Sequence, residues 1–132
     1  MQLDVASRNA ILNALETTWG TDAILRIRTG AAPANLAAAS SGTVLIEITL
    51  PTDYLANASS GTKALAGTWQ GTVTADGTAG HYEIVSSDGT TRRAQGSVGL
   101  VGVSGELRLL SLSLVTDTVI PITSALFTAG NA

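Results

Sequence analysis

The stretch GHYEIVSSDGTTRRAQGSV, residues 80–98, holds the only histidine of the chain and its only adjacent arginines. His81, Glu83, Arg92 and Arg93 are residue types that do acid–base and anion chemistry. An imidazole moves protons, a carboxylate orients it, and guanidiniums hold negative charge. Catalysis also needs a nucleophile or activated water, and a third group to orient the base. Nothing near His81 supplies these beyond Glu83, so no catalytic role is expected. The other reading is a hairpin. A three-residue loop, Ser87-Asp88-Gly89, with glycine in the left-handed position keeps Tyr82, Ile84, Ala94, Gly96 and Val98 on one apolar face. That register sets Tyr82 opposite Ala94 and His81 opposite Gln95. It makes Glu83 and Arg93 an exposed cross-strand pair, worth roughly 0.2–1 kcal/mol.

The elements that would position these residues follow from periodicity. In LDVASRNAILNALETTWG, Ile11, Leu12, Leu15 and Trp19 recur at helical spacing, with Arg8, Asn9, Asn13, Glu16 and Thr17 mostly on the other side. Asp4 or Ser7 can cap the start and Gly20 the end. This predicts a helical segment within residues 1–20, packed on a sheet or extended as an arm toward a neighbouring subunit. From residue 21 the period becomes two. Ala23, Leu25 and Ile27 alternate with Ile24, Arg26 and Arg28. Val44, Ile46, Ile48 and Leu50 alternate with Glu47 and Thr49. Leu65, Trp69 and Val73 point inward, and Gly67 and Gly71 on their face mark a bend or a close approach. Leu107, Leu109 and Phe127 complete the expected core. Pro121 places the last strand at an edge or a bulge. GSVGLVGVSGE reads as a connector. About seven or eight short strands separated by turn-rich stretches predict one domain, residues 1–132. It is an all-β antiparallel sandwich (21–132) with one N-terminal helix.

Composition narrows the function classes. Charged residues are 13% of the chain against a usual figure of about 25%. Net charge is −3, so no basic field exists to hold nucleic acid. There is no cysteine, hence no disulfide or thiolate site, and the acids are scattered singly. Phosphate-loop and nucleophile-elbow motifs are absent. No apolar run reaches the ~18 residues of a membrane span. The N-terminal residues carry Asp4 and no apolar core, so a signal peptide is not expected. No cofactor, metal or enzyme activity is expected. A surface of Ser, Thr, Ala and Gly is cheap to desolvate against a partner.

The order of segments resembles a family of small structural proteins of tailed bacteriophages. The similarity lies in SRNAILNALETTWG, LRIRTGAAPANLAAASSGTVLIEITLP, GTWQGT, GTAGHYEIVSSDGTTRRAQGSVG, GELRLLSLSL and the terminal FTAGN. It covers nearly the whole chain, and order and spacing carry it. The family pattern brings no catalytic residues. It implies a jelly-roll-like decoration or cementing protein on the outer capsid surface of a virion, assembled in the host cytoplasm. The implied partners are the major capsid protein and further copies of the chain, as dimer or trimer. A head–tail or tail component and a carbohydrate- or surface-binding module are the alternatives. Candidate contact residues are Arg26, Arg28, Trp19, Arg92 and Arg93. The edge of DTVIPITSALFT and the outer side of AILRIRT are candidate contact surfaces.

Overall fold

Alternating burial shapes the fold, and a computed structural model describes it for residues 1–103 and 105–130. One helix, α1 (Val5–Trp19), precedes ten strands: β1 (Ile24–Thr29), β2 (Val44–Thr49), β3 (Thr62–Ala64), β4 (Gln70–Thr72), β5 (Gly77–Val85), β6 (Arg92–Leu100), β7 (Leu107–Leu109), β8 (Ser113–Leu114), β9 (Val119–Pro121) and β10 (Ser124–Thr128). The chain is a β-sandwich with one N-terminal helix. Its main sheet runs β2-β1-β5-β6-β7-β10-β3, β8 pairs with the start of β5, and β4 and β9 form a separate ribbon. An isolated bridge between Ile46 and Val73 brings the end of that ribbon to β2. Most of the expected inward residues lie in the core, but Val44, Leu65, Ala94 and Gly96 are only half-buried, and Leu45, outside the expected set, is fully buried.

Two departures have clear causes. The pairing is not purely antiparallel, because Val98, Gly99 and Leu100 of β6 run parallel to Leu107, Arg108 and Leu109 of β7. Parallel neighbours ordinarily need a crossover of a dozen or more residues. Here a much shorter link suffices. Gly102 and Gly105 adopt positive φ, and a Cβ at Gly105 would press on the backbone of Gly99. The last strand is also split. β9 lies in the two-stranded ribbon, where Pro121 has no interior ladder bond to lose. β10 is interior, between β7 and β3.

The helix begins where Asp4 accepts the Ser7 amide at 2.7 Å and ends at Gly20, φ 86°. Leu12 and Trp19 are buried and Leu15 is half-buried, but Ile11 is 51% exposed, contrary to the predicted apolar face. The polar side docks instead. Asn9 and Asn13 accept the amides of Gly61 and Ala58 at 2.8 Å each, and Glu16 accepts that of Leu55. Arg8 donates to the Ala129 carbonyl at 3.1 Å, and the buried Lys63 donates to Asn13 at 3.0 Å. The helix is thus fastened to the backbone of residues 55–63 and packed on its own domain.

All five aromatic residues form one chain of contacts: Trp69, Tyr54, Trp19, Phe127, Tyr82, with centroids 5.8–6.5 Å apart. Trp69 donates its indole N–H to the carbonyls of Tyr54 and Ala66, and the Tyr54 hydroxyl donates to that of Gly20. Burial and the Glu16 charge push the Tyr54 hydroxyl up to about 12. Trp19→Ala removes the middle of this chain and should cost about 3–5 kcal/mol. Ile11→Asp, on the solvent side of the same helix, should stay within about 0.5 kcal/mol. Urea titration followed by tryptophan fluorescence or far-UV dichroism separates the two. Equal losses would refute this assignment of helix faces.

Candidate functional site

The outward face of β1 and β5 is not a solvent face. Glu47, Arg26, Glu83 and Gln95 lie side by side across β2, β1, β5 and β6. The next row holds Val44, Arg28, His81 and Ser97. Glu83 and His81 are only 1% and 2% exposed. What covers them is the β1–β2 connection, residues 30–42, a strap that folds back over the sheet. Its ends meet where the Thr29 amide donates to the Thr43 carbonyl at 3.1 Å. Gly30 and Gly42, at φ 77° and 75°, turn the chain at either end. A loop of this length with closed ends is an Ω-type loop.

The strap, GAAPANLAAASSG, has no ionisable side chain. The sheet holds it largely by its carbonyls. His81 Nδ1 donates to Gly30 O at 2.9 Å, Gln95 to Pro33 O at 2.7 Å, and Arg28 to Gly42 O at 3.0 Å. Arg92 donates to the carbonyls of Leu36 and Ala38. From the strap, the Ser40 hydroxyl donates to Glu83 Oε2 at 2.9 Å. Within it, Asn35 accepts the amides of Ala37 and Ala38 and so makes its own turn.

Glu83 binds the layer together. Arg28 Nε lies 2.8 Å and Arg26 Nη1 3.8 Å from its Oε1, and Arg92 Nε lies 4.0 Å from Oε2. Arg26 also meets Glu47 at 2.8 Å. Burial by itself pushes the Glu83 carboxyl up. Hydrogen bonds from Arg28 and Ser40, with the charges of Arg28 and Arg26, outweigh it and hold the group below its ordinary value.

This corrects the hairpin reading. Glu83 stands opposite Gln95, His81 opposite Ser97 and Tyr82 opposite Gly96. A break in register follows between Ile84 and Val85, which face Ala94 and Arg92. The turn is longer than three residues. The Ser86 amide pairs with the Thr91 carbonyl, and Asp88 gathers the Ser86 hydroxyl with the Thr90 amide and hydroxyl. Those bonds hold the exposed Asp88 at about 2. The bulge leaves Arg93 outside and turns Arg92 onto the Glu83 face. The exposed Glu83–Arg93 pair does not exist, because β5 is interior and the strap covers its polar face.

Of the sequence candidates, Arg26, Arg28 and Arg92 therefore converge on one carboxylate, with side chains 20%, 14% and 10% exposed. Trp19 is buried between Tyr54 and Phe127. Arg93 alone of the five is exposed. Strand β1 is interior to the sheet, so AILRIRT offers no edge. Sequence reasoning missed the strap, Gln95 and Ser40. The readable signal was a 13-residue connection without charge beside two arginine-bearing strands.

Among the described residues, no group of three or more His, Asp or Glu is placed to hold a metal ion. A small cleft of about 90 Å³ lies at the other end of the helix, between Glu16, Gly20, Pro51, Asp53 and Tyr54. No helix is long and apolar enough to cross a membrane. Compared with protein-family models, curated proteins and solved structures, the chain finds no match.

Glu83→Gln leaves three guanidiniums without their shared counter-charge and should destabilise by about 3–5 kcal/mol at pH 7. Because the carboxyl is held below its ordinary value of 4.5, its contribution is complete above that pH and fades as pH falls through the lowered value. From pH 7 down to pH 3, the gap in urea denaturation midpoint between wild type and Glu83→Gln should therefore hold above pH 4.5 and narrow below it. A constant gap across that range would contradict the assignment.

Proposed function

We propose that the chain is a virion structural protein of a tailed bacteriophage, a decoration or cementing protein. In this reading it binds the major capsid protein on the outer shell as a dimer or trimer and stiffens the particle. The resemblance of the sequence segments leads to this reading. One observation of the surface supports it. Of the seven Lys and Arg residues only Arg93 is exposed, whereas Asp4, Asp22, Glu47, Asp53, Asp76, Asp88 and Asp117 are all exposed. Five of the other cations are spent inside the fold, on Glu83, the strap and the helix contact, and Arg108 donates to the Gly105 carbonyl. The outside is mildly acidic, with small neutral residues between the acids. Such a surface repels phosphate backbones and favours a neutral or basic protein partner.

The contact surface in this reading shifts away from Arg26 and Arg28. Replacing them would strip Glu83 of its partners before it reported on any contact. The paired ends of β6 and β7 offer exposed apolar residues instead: Val101 and Val103 after β6 and Leu110 after β7 are 47%, 70% and 73% exposed. Repeated over a lattice, even a weak contact there becomes avid.

Particles lacking the protein should assemble but release DNA at a lower temperature than complete particles. Val103→Asp with Leu110→Asp should change the unfolding free energy of the isolated protein by no more than about 1 kcal/mol and reduce its rebinding to bare particles. If bare and complete particles match in heat resistance and DNA retention, the cementing role is wrong.

A further inference from the structure

His81 is the one group in the polar layer that the strap leaves half-satisfied. Its Nδ1 meets the Gly30 carbonyl, which can only accept, so Nδ1 carries the proton. Its Nε2 is buried and, among the described residues, has no hydrogen-bond partner. The imidazole sits where the strap begins, and the contact there is backbone on backbone. A Cβ at Gly80 would overlap the main chain of Gly30.

From β1, Arg28 is the direct cross-strand neighbour of His81 and Arg26 lies one row on. From β2, Glu47 is turned to Arg26. On β5 itself Glu83 lies two residues along, its Oε1 occupied by Arg28 and its Oε2 by Ser40. From β6 come Ser97, directly opposite, then Gln95 and Arg92, the last two committed to the strap and to each other. The strap brings no charge at all. With the imidazole neutral, three guanidiniums face two carboxylates. A proton on Nε2 adds a fourth cation beside Arg28 and creates a buried donor with no acceptor, which disfavours the closed state.

We propose that the strap is an acid-released latch: protonation of His81 loosens residues 30–42 from the polar layer while the sandwich beneath stays folded. Imidazole is the side chain whose charge ordinarily changes between about pH 5 and 8. An opened strap lets Nε2–H reach water and uncovers Arg92, Gln95 and Glu83.

The full chain tests this directly. Strap protection against hydrogen exchange is read at the groups that the closed strap occupies, the Gln95 side-chain amide and the Arg92 guanidinium, and at the Ala37 and Ala38 amides within it. Corrected for intrinsic chemical rates, it should fall at least about tenfold between pH 7.5 and pH 5.0, the effect of one unsatisfied buried donor. Protection of β1, β5 and β6 should hold over the same range. The chain has a single histidine, so its imidazole proton resonance reports His81 alone. Its titration should share a midpoint with the loss of strap protection. His81→Asn keeps a donor near the Nδ1 position and cannot take a proton, so its strap protection should be flat with pH. Strap protection that is constant in wild type overturns the proposal. So does loosening at a pH where the imidazole remains neutral. An equal acid response in His81→Asn overturns it as well. Should His81→Asn fail to fold, the coincidence of the two wild-type midpoints still decides.

Discussion

A carboxylate with 1% of its surface exposed must be neutralised, and the polar half of this protein is organised by that requirement. Glu83 draws Arg26 and Arg28 from one neighbouring strand and Arg92 from the other. Each arginine has donors to spare once Glu83 is met. Those donors reach the carbonyls of Gly42, Gly89, Leu36 and Ala38. A loop with no charge of its own is thereby fixed over a sheet face that would otherwise be wet. The burial that makes Glu83 expensive is produced by the same loop that its partners hold down, so layer and strap stabilise each other.

Much of the fold was legible because alternation is a local signal. The inward sets of β1, β5 and β7 could be read from residue type alone, and so could the close approach at Gly71, where a Cβ would meet Ile48 and the Glu47 carbonyl. In β2 the register shift beside Arg28 puts Val44 in the polar row and Leu45 in the core. What alternation does not say is what lies on the other face. The pattern of β5, with His81 and Glu83 between Tyr82 and Ile84, is that of a half-exposed hairpin strand. Here the charged face is buried under a segment some forty residues earlier. The parity of the β5–β6 hairpin was readable, but its register was not. The Asp88 turn and the bulge at Arg93 decide which arginine meets Glu83, and both depend on hydrogen bonds that span the turn. The helix was misjudged for a related reason. Asn9, Asn13 and Glu16 look like solvent residues until there is an unpaired backbone for them to bind.

The distribution of charge follows from the same economy. A chain with few ions has placed nearly all its cations where they neutralise a buried acid or bind carbonyls, and has left seven of its ten acids outside. The low charge content seen in the sequence therefore understates how polar the interior is and overstates how neutral the exterior is.

The helix contact bears on how copies of this chain can associate. Segment 55–59 folds back on residues 62–65 at the β3 end of the main sheet, through bridges at Leu55 with Leu65 and Ser59 with Thr62. Its outward amides, at Leu55 and Ala58, and that of Gly61 in the turn, are the ones taken by Glu16, Asn13 and Asn9. An open row of amides at a sheet's end is a template on which another chain can add a strand, the usual route to runaway polymerisation. Side chains of a helix cannot continue that ladder. Docking a helix there terminates the sheet chemically as well as sterically. It leaves faces and loop tips, rather than strand addition at this end, as the means by which copies can join.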